Sequence, residues 1–337
     1  MRRGRGFSYL DADGDRVSDE ATLSRIRALG IPPAWRDVWI CADPQGHLQA
    51  TGIDAAGRKQ YLYHEVWRQK RDRQKFADME QFARALPRLR RQVTADLSTG
   101  ELPRERVVAC AVRMIDVAQF RIGTEEYASE EGGIGVATLE RCHVRVGANV
   151  ALFDYPAKGG VRRRVELHDP ACLAVLTALR RRRGGSPHLL VFRDGRRWRE
   201  LQSDDINEYI KSYAGETFSA KDFRTWNATV AAAAGLARRK AEGTTKTSRK
   251  RAMSAVVKEV AAILGNTPAV ARRAYIDPRV FDRFPAWTIA DTLDLAHVDE
   301  TSEARRRRVE RAVLDLLDER AQSGALDIDP ELEPIAA

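Results

Sequence analysis

The sequence predicts an α+β fold in two unequal parts, from three observations. Up to about residue 75, aromatic residues, Gly and Asp dominate, and short apolar segments alternate between turn signals. From about residue 76 the apolar residues recur at helical spacing. Between residues 134 and 167 the period returns to two, which interrupts the helices with a small sheet. The expected division is a β-rich N-terminal domain (1–75), a larger, mainly helical domain (76–325) and an acidic, Pro-containing tail (326–337).

In the first part, Asp19 to Ala28 reads as a helix that stops at Gly30, ahead of Pro32 and Pro33. Val38-Trp-Ile-Cys41 and His47-Leu-Gln-Ala-Thr51 read as strands, separated by turns at Asp43-Pro44 and Ala55-Ala-Gly57. Gln60-Tyr61-Leu-Tyr63 would place both tyrosines on one strand face. The basic stretch from Trp67 to Lys75, which includes Arg71, reads as helical. Aromatics beside cations suit contact with nucleic acid, while a core tyrosine pair beside a solvated basic helix is the plainer alternative.

Phe76 to Leu97 carries a helical apolar stripe in which Pro87 should break or kink the helix. Glu105 to Ile122 has a broad buried face. Ile134–Leu139, His143–Val146, Val150–Phe153 and Val161–Leu167 suggest a three- to four-stranded antiparallel sheet. Helices follow over Pro170–Arg182, Asp204–Tyr213, Ala220–Ala237, Ala252–Leu264 and Pro268–Ala274. The very basic Arg238–Arg251 reads as a loop, and Glu303–Glu319 as a charged amphipathic helix.

Over 337 residues, 57 Lys and Arg against 48 Asp and Glu leave a net charge of +9, which favours a polyanionic partner through counterion release. The four cysteines lie far apart with no CxxC pair, so neither a zinc site nor a disulfide framework is indicated and a reducing compartment is expected. The basic start runs into Asp11, Asp13 and Asp15, so no signal peptide is predicted, and no apolar run reaches the length of a membrane span.

Taken singly, the residues that could carry chemistry have plain readings. Arg121 at the end of a buried helix could pair with Glu125 or Glu126, and Lys158 could be a solvated charge at a hairpin tip. Arg224 could be a surface arginine in a first helical turn, and Tyr275 a half-buried helix tyrosine. In this order and spacing they also fit a phosphate grip with a nucleophile: Lys221-Asp-Phe-Arg-Thr-Trp226, then Leu264-Gly-Asn-Thr-Pro268, then Arg273-Ala-Tyr-Ile-Asp-Pro278.

On these segments, with Lys59–Tyr63 and Arg121–Leu139, the chain resembles the type IB DNA topoisomerases, in the small poxvirus-like form found in bacteria. The resemblance runs from about Gly30 to Phe284 and implies two domains clamped around duplex DNA. It implies Tyr275 as the nucleophile, Arg121 and Arg224 as holders of the phosphate's non-bridging oxygens, and Lys158 as the acid for the departing 5′ oxygen. It further implies DNA contacts from Gln60, Tyr61, Tyr63, Arg71, Lys75, Tyr127 and Lys221.

Physical chemistry accords with those roles. Guanidiniums offer paired donors to charge gathering on equatorial oxygens. A positioned ammonium helps an alkoxide to leave, and a phenol (unperturbed pKa about 10) attacks once positive charge stabilises its phenolate. One ester replaces another, so reversal needs neither ATP nor metal. The expected partner is duplex DNA, with no membrane, nucleotide cofactor or metal, and the chain is expected to act as a monomer in the cytoplasm, at the nucleoid.

The match has departures. Viral and eukaryotic relatives carry histidine nine residues before the tyrosine, where this chain has Asn266, which can donate a hydrogen bond but adds no charge. Thr124 and Glu126 stand where the viral pattern has lysines, whereas Tyr275-Ile-Asp-Pro-Arg279 is closer to the large cellular enzymes. Tyrosine recombinases share the arginine, lysine and tyrosine logic but typically place histidine three residues before the second arginine, where Lys221 stands here. A non-enzymatic basic DNA-binding protein is the alternative from another class.

Overall fold

The computed structural model describes residues 2–3, 6–123, 133–157, 160–240, 245–284, 289 and 303–318. The chain divides into two compact units, Met1–Phe76 and Ala77–Ala337.

In the first unit, the short pair β1 (Arg2–Arg3) and β2 (Gly6–Phe7) precedes helix α1 (Glu20–Ala28). Asp19 caps α1 by accepting from the Thr22 N–H at 2.8 Å. Strands β3 (Arg36–Ile40), β4 (Leu48–Ile53) and β5 (Lys59–Tyr63) form an antiparallel sheet in that order. Arg25 of α1 donates to Gln49 Oε1 and to the Cys41 carbonyl, and so ties the helix to the sheet. Cross-strand register aligns Trp39 with Thr51 and Thr51 with Tyr61, which puts both aromatic rings on one face.

Helix α2 (Glu65–Leu97) is continuous, and the unit boundary falls within it. The sequence reading expected Pro87 to break or kink the helix, and it does not break it. Instead Met79, Phe82, Leu86, Leu89, Val93 and Leu97 are all buried, and that stripe outweighs the roughly 3 kcal/mol cost of an internal proline.

The second unit is built around α3 (Arg104–Ala118), whose residues from Val107 to Val112 are all buried. Beside it lie β6 (Val144–Val146), β7 (Ala151–Pro156) and β8 (Arg162–Leu167), an antiparallel sheet of three strands. The possible fourth strand, Ile134–Leu139, contains a 3-10 turn at Val136–Thr138 instead. The Val136 and Ala137 N–H groups donate to the carbonyls of Arg121 and Ile122, both at 2.8 Å, and Thr138 Oγ1 accepts from the Gly135 N–H, which draws the chain into a turn.

Helix α4 (Pro170–Arg181) is capped by Asp169 and leads to a hairpin, β9 (Val191–Asp194) and β10 (Arg197–Glu200), that the periodicity did not predict. Then come α5 (Ser203–Ala214), α6 (Ala220–Arg238), α7 (Lys246–Leu264), α8 (Pro268–Ala274), α9 (Arg279–Arg283) and α10 (Glu303–Leu317). Much of the expected basic loop is therefore helix: Thr245 Oγ1 accepts from the Ser248 N–H and starts α7 well before Ala252. Residues 241–244 and the expected acidic tail lie outside the described residues. Among the described residues, no helix is long and apolar enough to cross a membrane.

Candidate active site

Two helix ends in the second unit build the site. Helix α3 closes at Gln119, held in the left-handed region at φ 58°. Phe120 is then sealed among the rings of Phe153 and Tyr155, with centroids 4.9 and 5.8 Å away, and Arg121 follows. Beyond Arg121, Gly123 (φ 77°) crosses Gly135 too closely for side chains: a Cβ on Gly135 would lie 2.4 Å from the Gly123 nitrogen. That crossing and the 136–137 hydrogen bonds hold the Arg121 backbone.

Helix α7 closes at Gly265, also left-handed (φ 61°). The Asn266 N–H donates to the Ala261 carbonyl and the Gly265 N–H to that of Ala262, the pattern that a positive-φ C-cap glycine permits. The carbonyls of Ile263, Leu264 and Gly265 are left to other donors. Such helix-end carbonyls carry partial negative charge and need partners.

Arginines supply them. Arg224, one turn into α6, is 4% exposed because Phe223 and Trp226 beside it are in the core. Its Nη1 donates to the Gln119 carbonyl at 3.2 Å, and its Nη2 to Leu264 O at 2.9 Å and to Asn266 Oδ1 at 3.4 Å. Arg121 Nη2 donates to Gly265 O at 3.1 Å and to Asn266 Oδ1 at 2.5 Å. Arg163 of β8 donates to the carbonyls of Gln119 (3.0 Å) and Ile263 (3.2 Å). Among the described residues, none of the three makes an ion pair with a carboxylate. A cleft of about 540 Å³ opens beside them, with Arg121, Arg163, Val161 and Ile263 in its walls.

Tyr275 stands at the C-terminal end of α8, with the Arg224 guanidinium carbon 5.3 Å from its ring centroid. Thr229 of α6 holds this stretch from behind, donating to the Tyr275 carbonyl and accepting from the Asp277 N–H at 3.1 Å. Buried Asp277 is gripped by Arg279, which also reaches Glu80 at 2.6 Å.

Burial alone would push the Tyr275 phenol up. The charge and hydrogen bond of Arg224, the charge of Arg121 and a hydrogen bond from Asn266 outweigh it and hold the phenol below its ordinary value of 10. Burial and the neighbouring Arg121 bring Arg224 down to about 10, so it keeps its charge at neutral pH. Burial also lowers Arg163, with the Arg121 charge acting the same way. The Asn266 carbonyl oxygen faces both arginines and its amide nitrogen serves the phenol.

The second unit thus brings Arg121, Arg224, Asn266 and Tyr275 together, and the plain reading of Arg224 as a surface residue gives way to a buried one held by helix-end carbonyls, while Glu125 and Glu126, the acids with which Arg121 could pair, lie outside the described residues. Lys221 lies exposed in the first turn of α6. Lys158 and Tyr127 lie outside the described residues.

In the first unit, Tyr61 and Tyr63 are 50% and 40% exposed, which rules out a core pair. Their rings stack at 6.3 Å, and the row continues through Trp67, 4.6 Å from Tyr63. Lys59 lies over Tyr61, Arg71 over Trp67 and Lys75 over Phe76. Gln60 is turned away from this row and donates to Asp54 at 2.9 Å.

Sequence reasoning passed over Arg163 and the helix-end carbonyls. The strand reading of Val161–Leu167 did hold a signal, since alternation sends Arg163 to the face opposite Arg162 and Arg164. As for metals, Glu140, Cys142 and His143 bring ligand atoms within 4.8 Å of one another. His143 Nδ1, however, accepts the Glu140 N–H at 3.0 Å, so the neutral ring presents Nε2–H and has no free lone pair.

Comparison with known proteins accords with this geometry. Residues 64–283 match the model of the eukaryotic DNA topoisomerase I catalytic core, and residues 6–54 that of the bacterial DNA topoisomerase IB N-terminal domain. The first of these covers more than half of the chain, which belongs to the type IB DNA topoisomerases. A DNA topoisomerase 1B of Acanthamoeba polyphaga mimivirus is 28% identical over 281 residues, covering 82% of this chain and 83% of the viral protein. The DNA topoisomerase 1B of vaccinia virus (strain Copenhagen) is 20% identical over 249 residues, covering 74% and 76%.

Proposed function

We propose that Tyr275 attacks the scissile phosphorus of one DNA strand, forming a 3′-phosphotyrosyl bond and releasing a 5′ hydroxyl. Arg121 and Arg224 bind the non-bridging oxygens and stabilise the charge that gathers there. Asn266 orients both arginines through its carbonyl oxygen and supports the phenolate through its amide. Lys158, between β7 and β8 in sequence, protonates the departing oxygen. The broken strand rotates about the intact one and the reverse attack reseals it, relaxing supercoils of both signs without ATP or metal. Duplex DNA is enclosed between a β-rich N-terminal domain and a helical catalytic domain, and Tyr61, Tyr63, Arg71 and Lys75 of the first unit contact it. Lys221, Gln60 and Tyr127 supply further DNA contacts. The enzyme acts as a monomer in the cytoplasm, at the nucleoid.

The observation that carries this reading is the Tyr275 phenol beneath Arg224, in a group of arginines held by neutral carbonyls. Incubation with supercoiled plasmid followed by denaturation should give nicked DNA bound covalently to protein, and relaxation should persist in EDTA. Absence of any adduct, with Tyr275→Phe relaxing plasmid as fast as the wild type, would overturn it.

A further inference from the structure

A second phenol faces the same arginines. Tyr155 of β7 lies directly across from Arg163 of β8. Alternation along β7 puts Tyr155 on the same side as Ala157, which lines the cleft beside Arg121 and Arg163. Its ring is 2% exposed, stacked on Phe120 at 13° between planes and tilted against His143 at 6.5 Å. Phe120 is bonded in sequence to Arg121, so this stack fixes the phenol relative to the first arginine of the site.

The hydroxyl makes no hydrogen bond among the described residues. Its charged neighbours are Arg163, Arg121 and Arg224, and guanidiniums only donate. The Tyr155 O–H therefore lacks an acceptor among them. An anion bound among the three arginines would provide that acceptor.

We propose that the Tyr155 hydroxyl is a further catalytic group of this site, donating a hydrogen bond to a non-bridging oxygen of the phosphate held by Arg121 and Arg224. This rests on the assignment of Tyr275 as nucleophile. The two phenols are set apart by their surroundings. Burial pushes Tyr155 up, and the three arginines do not bring it back, so it stays protonated and can donate at neutral pH. Tyr275 is held below its ordinary value and is suited to attack. Arg163 acts as a positioning residue, bracing Tyr155 across the sheet while tying the two helix ends together.

The test uses the full-length protein on a duplex that traps the covalent adduct, with single-turnover rates for wild type, Tyr155→Phe and Tyr275→Phe. Wild-type adduct that disappears in Tyr275→Phe secures the underlying assignment, so Tyr155→Phe is then judged by itself. Loss of one oxyanion donor lowers rates by up to about 10²–10³. For this weaker, neutral donor the expected loss on Tyr155→Phe is about 10–100-fold, with DNA affinity within about threefold. Phosphorothioate diastereomers at the cleavage site add a readout that packing would not move. One of the two should lose most of its sulfur penalty in Tyr155→Phe. A Tyr155→Phe enzyme that cleaves within about twofold of wild type, or unchanged sulfur penalties for both diastereomers, would overturn the proposal.

Discussion

Two groups of arginines gather about one turn apart along α3 and α6, one beside Asp116 and Asn227 and the other beside Gln119 and Arg224, and they are balanced in different ways. Toward α10, Arg90 and Arg306 meet Asp116 and Glu310: Arg90 reaches Asp116 at 2.8 Å and Glu310 at 2.6 Å, and Arg306 contacts both acids. Asn227 joins this network through the Asp116 carbonyl and Arg306. Three residues earlier on α6, among the described residues, Arg224 meets carbonyl oxygens, an amide and a phenol but no carboxylate, and Arg121 beside it meets carbonyls and the same amide. The first group has its charge cancelled and holds helices together. In the second, the positive charge is steadied by helix-end dipoles and meets no carboxylate among the described residues, which suits it to a phosphate.

The largest effect should come from removing the nucleophile. Tyr275→Phe keeps the ring under Arg224 and should lower relaxation below detection, at least about 10⁴-fold, while plasmid binding in a filter assay stays near wild type. Next is the balanced group. Arg90→Met leaves Asp116 and Glu310 short of a cation and should cost about 3–5 kcal/mol of stability in denaturant unfolding, as broken buried pairs do. Below the unfolding transition, its cleavage rate should change little.

That group also carries a pH signature. Burial opposes the Asp116 charge, but Arg306 and Arg90 hold its carboxyl at about 2, below the ordinary 3.8. The depressed value means that its stabilisation is complete above pH 3.8 and lost as pH falls through about 2. Asp116→Asn should flatten this window in acid-unfolding curves.

Arg224→Gln probes the other group and should slow cleavage about 10²–10³-fold, with little change in unfolding midpoint. Because Arg224 helps to keep the Tyr275 phenol below 10, the rising limb of cleavage rate against pH should move upward in this variant. Asn266→Ala should have the smallest effect, about tenfold or less, since both arginines keep their carbonyl anchors. If Arg90→Met and Arg224→Gln proved interchangeable in their effects, the distinction between the two groups would collapse.

Much of this site was readable beforehand because it rests on side chains in order along the chain. The periodicity of α3, α6 and α8 placed Arg121, Arg224 and Tyr275 near helix ends. The carbonyls that hold the arginines have no letter in a sequence, since every residue carries one. Arg163 was hidden in a basic run, and Tyr155 lay beyond the end of the expected strand Val150–Phe153, which runs on to Pro156. The turn at Val136–Thr138 looked like a strand because its apolar pattern is dense, and what draws it into a turn, the bonds to Arg121 and Ile122 and the crossing of Gly123 and Gly135, lies in the backbone. Pro87 and the basic start of α7 erred the other way, because buried contacts and a Thr245 cap outweighed local signals.

The central claim is that Tyr275, beneath a pair of arginines that meet no carboxylate among the described residues, is the group joined to DNA. Trapping the adduct on a defined duplex, digesting both components and sequencing the modified peptide by mass spectrometry tests it most directly. The account predicts a 3′-phosphoryl nucleotide on Tyr275. A nucleotide on any other residue, or an adduct of unchanged yield in Tyr275→Phe, would contradict it.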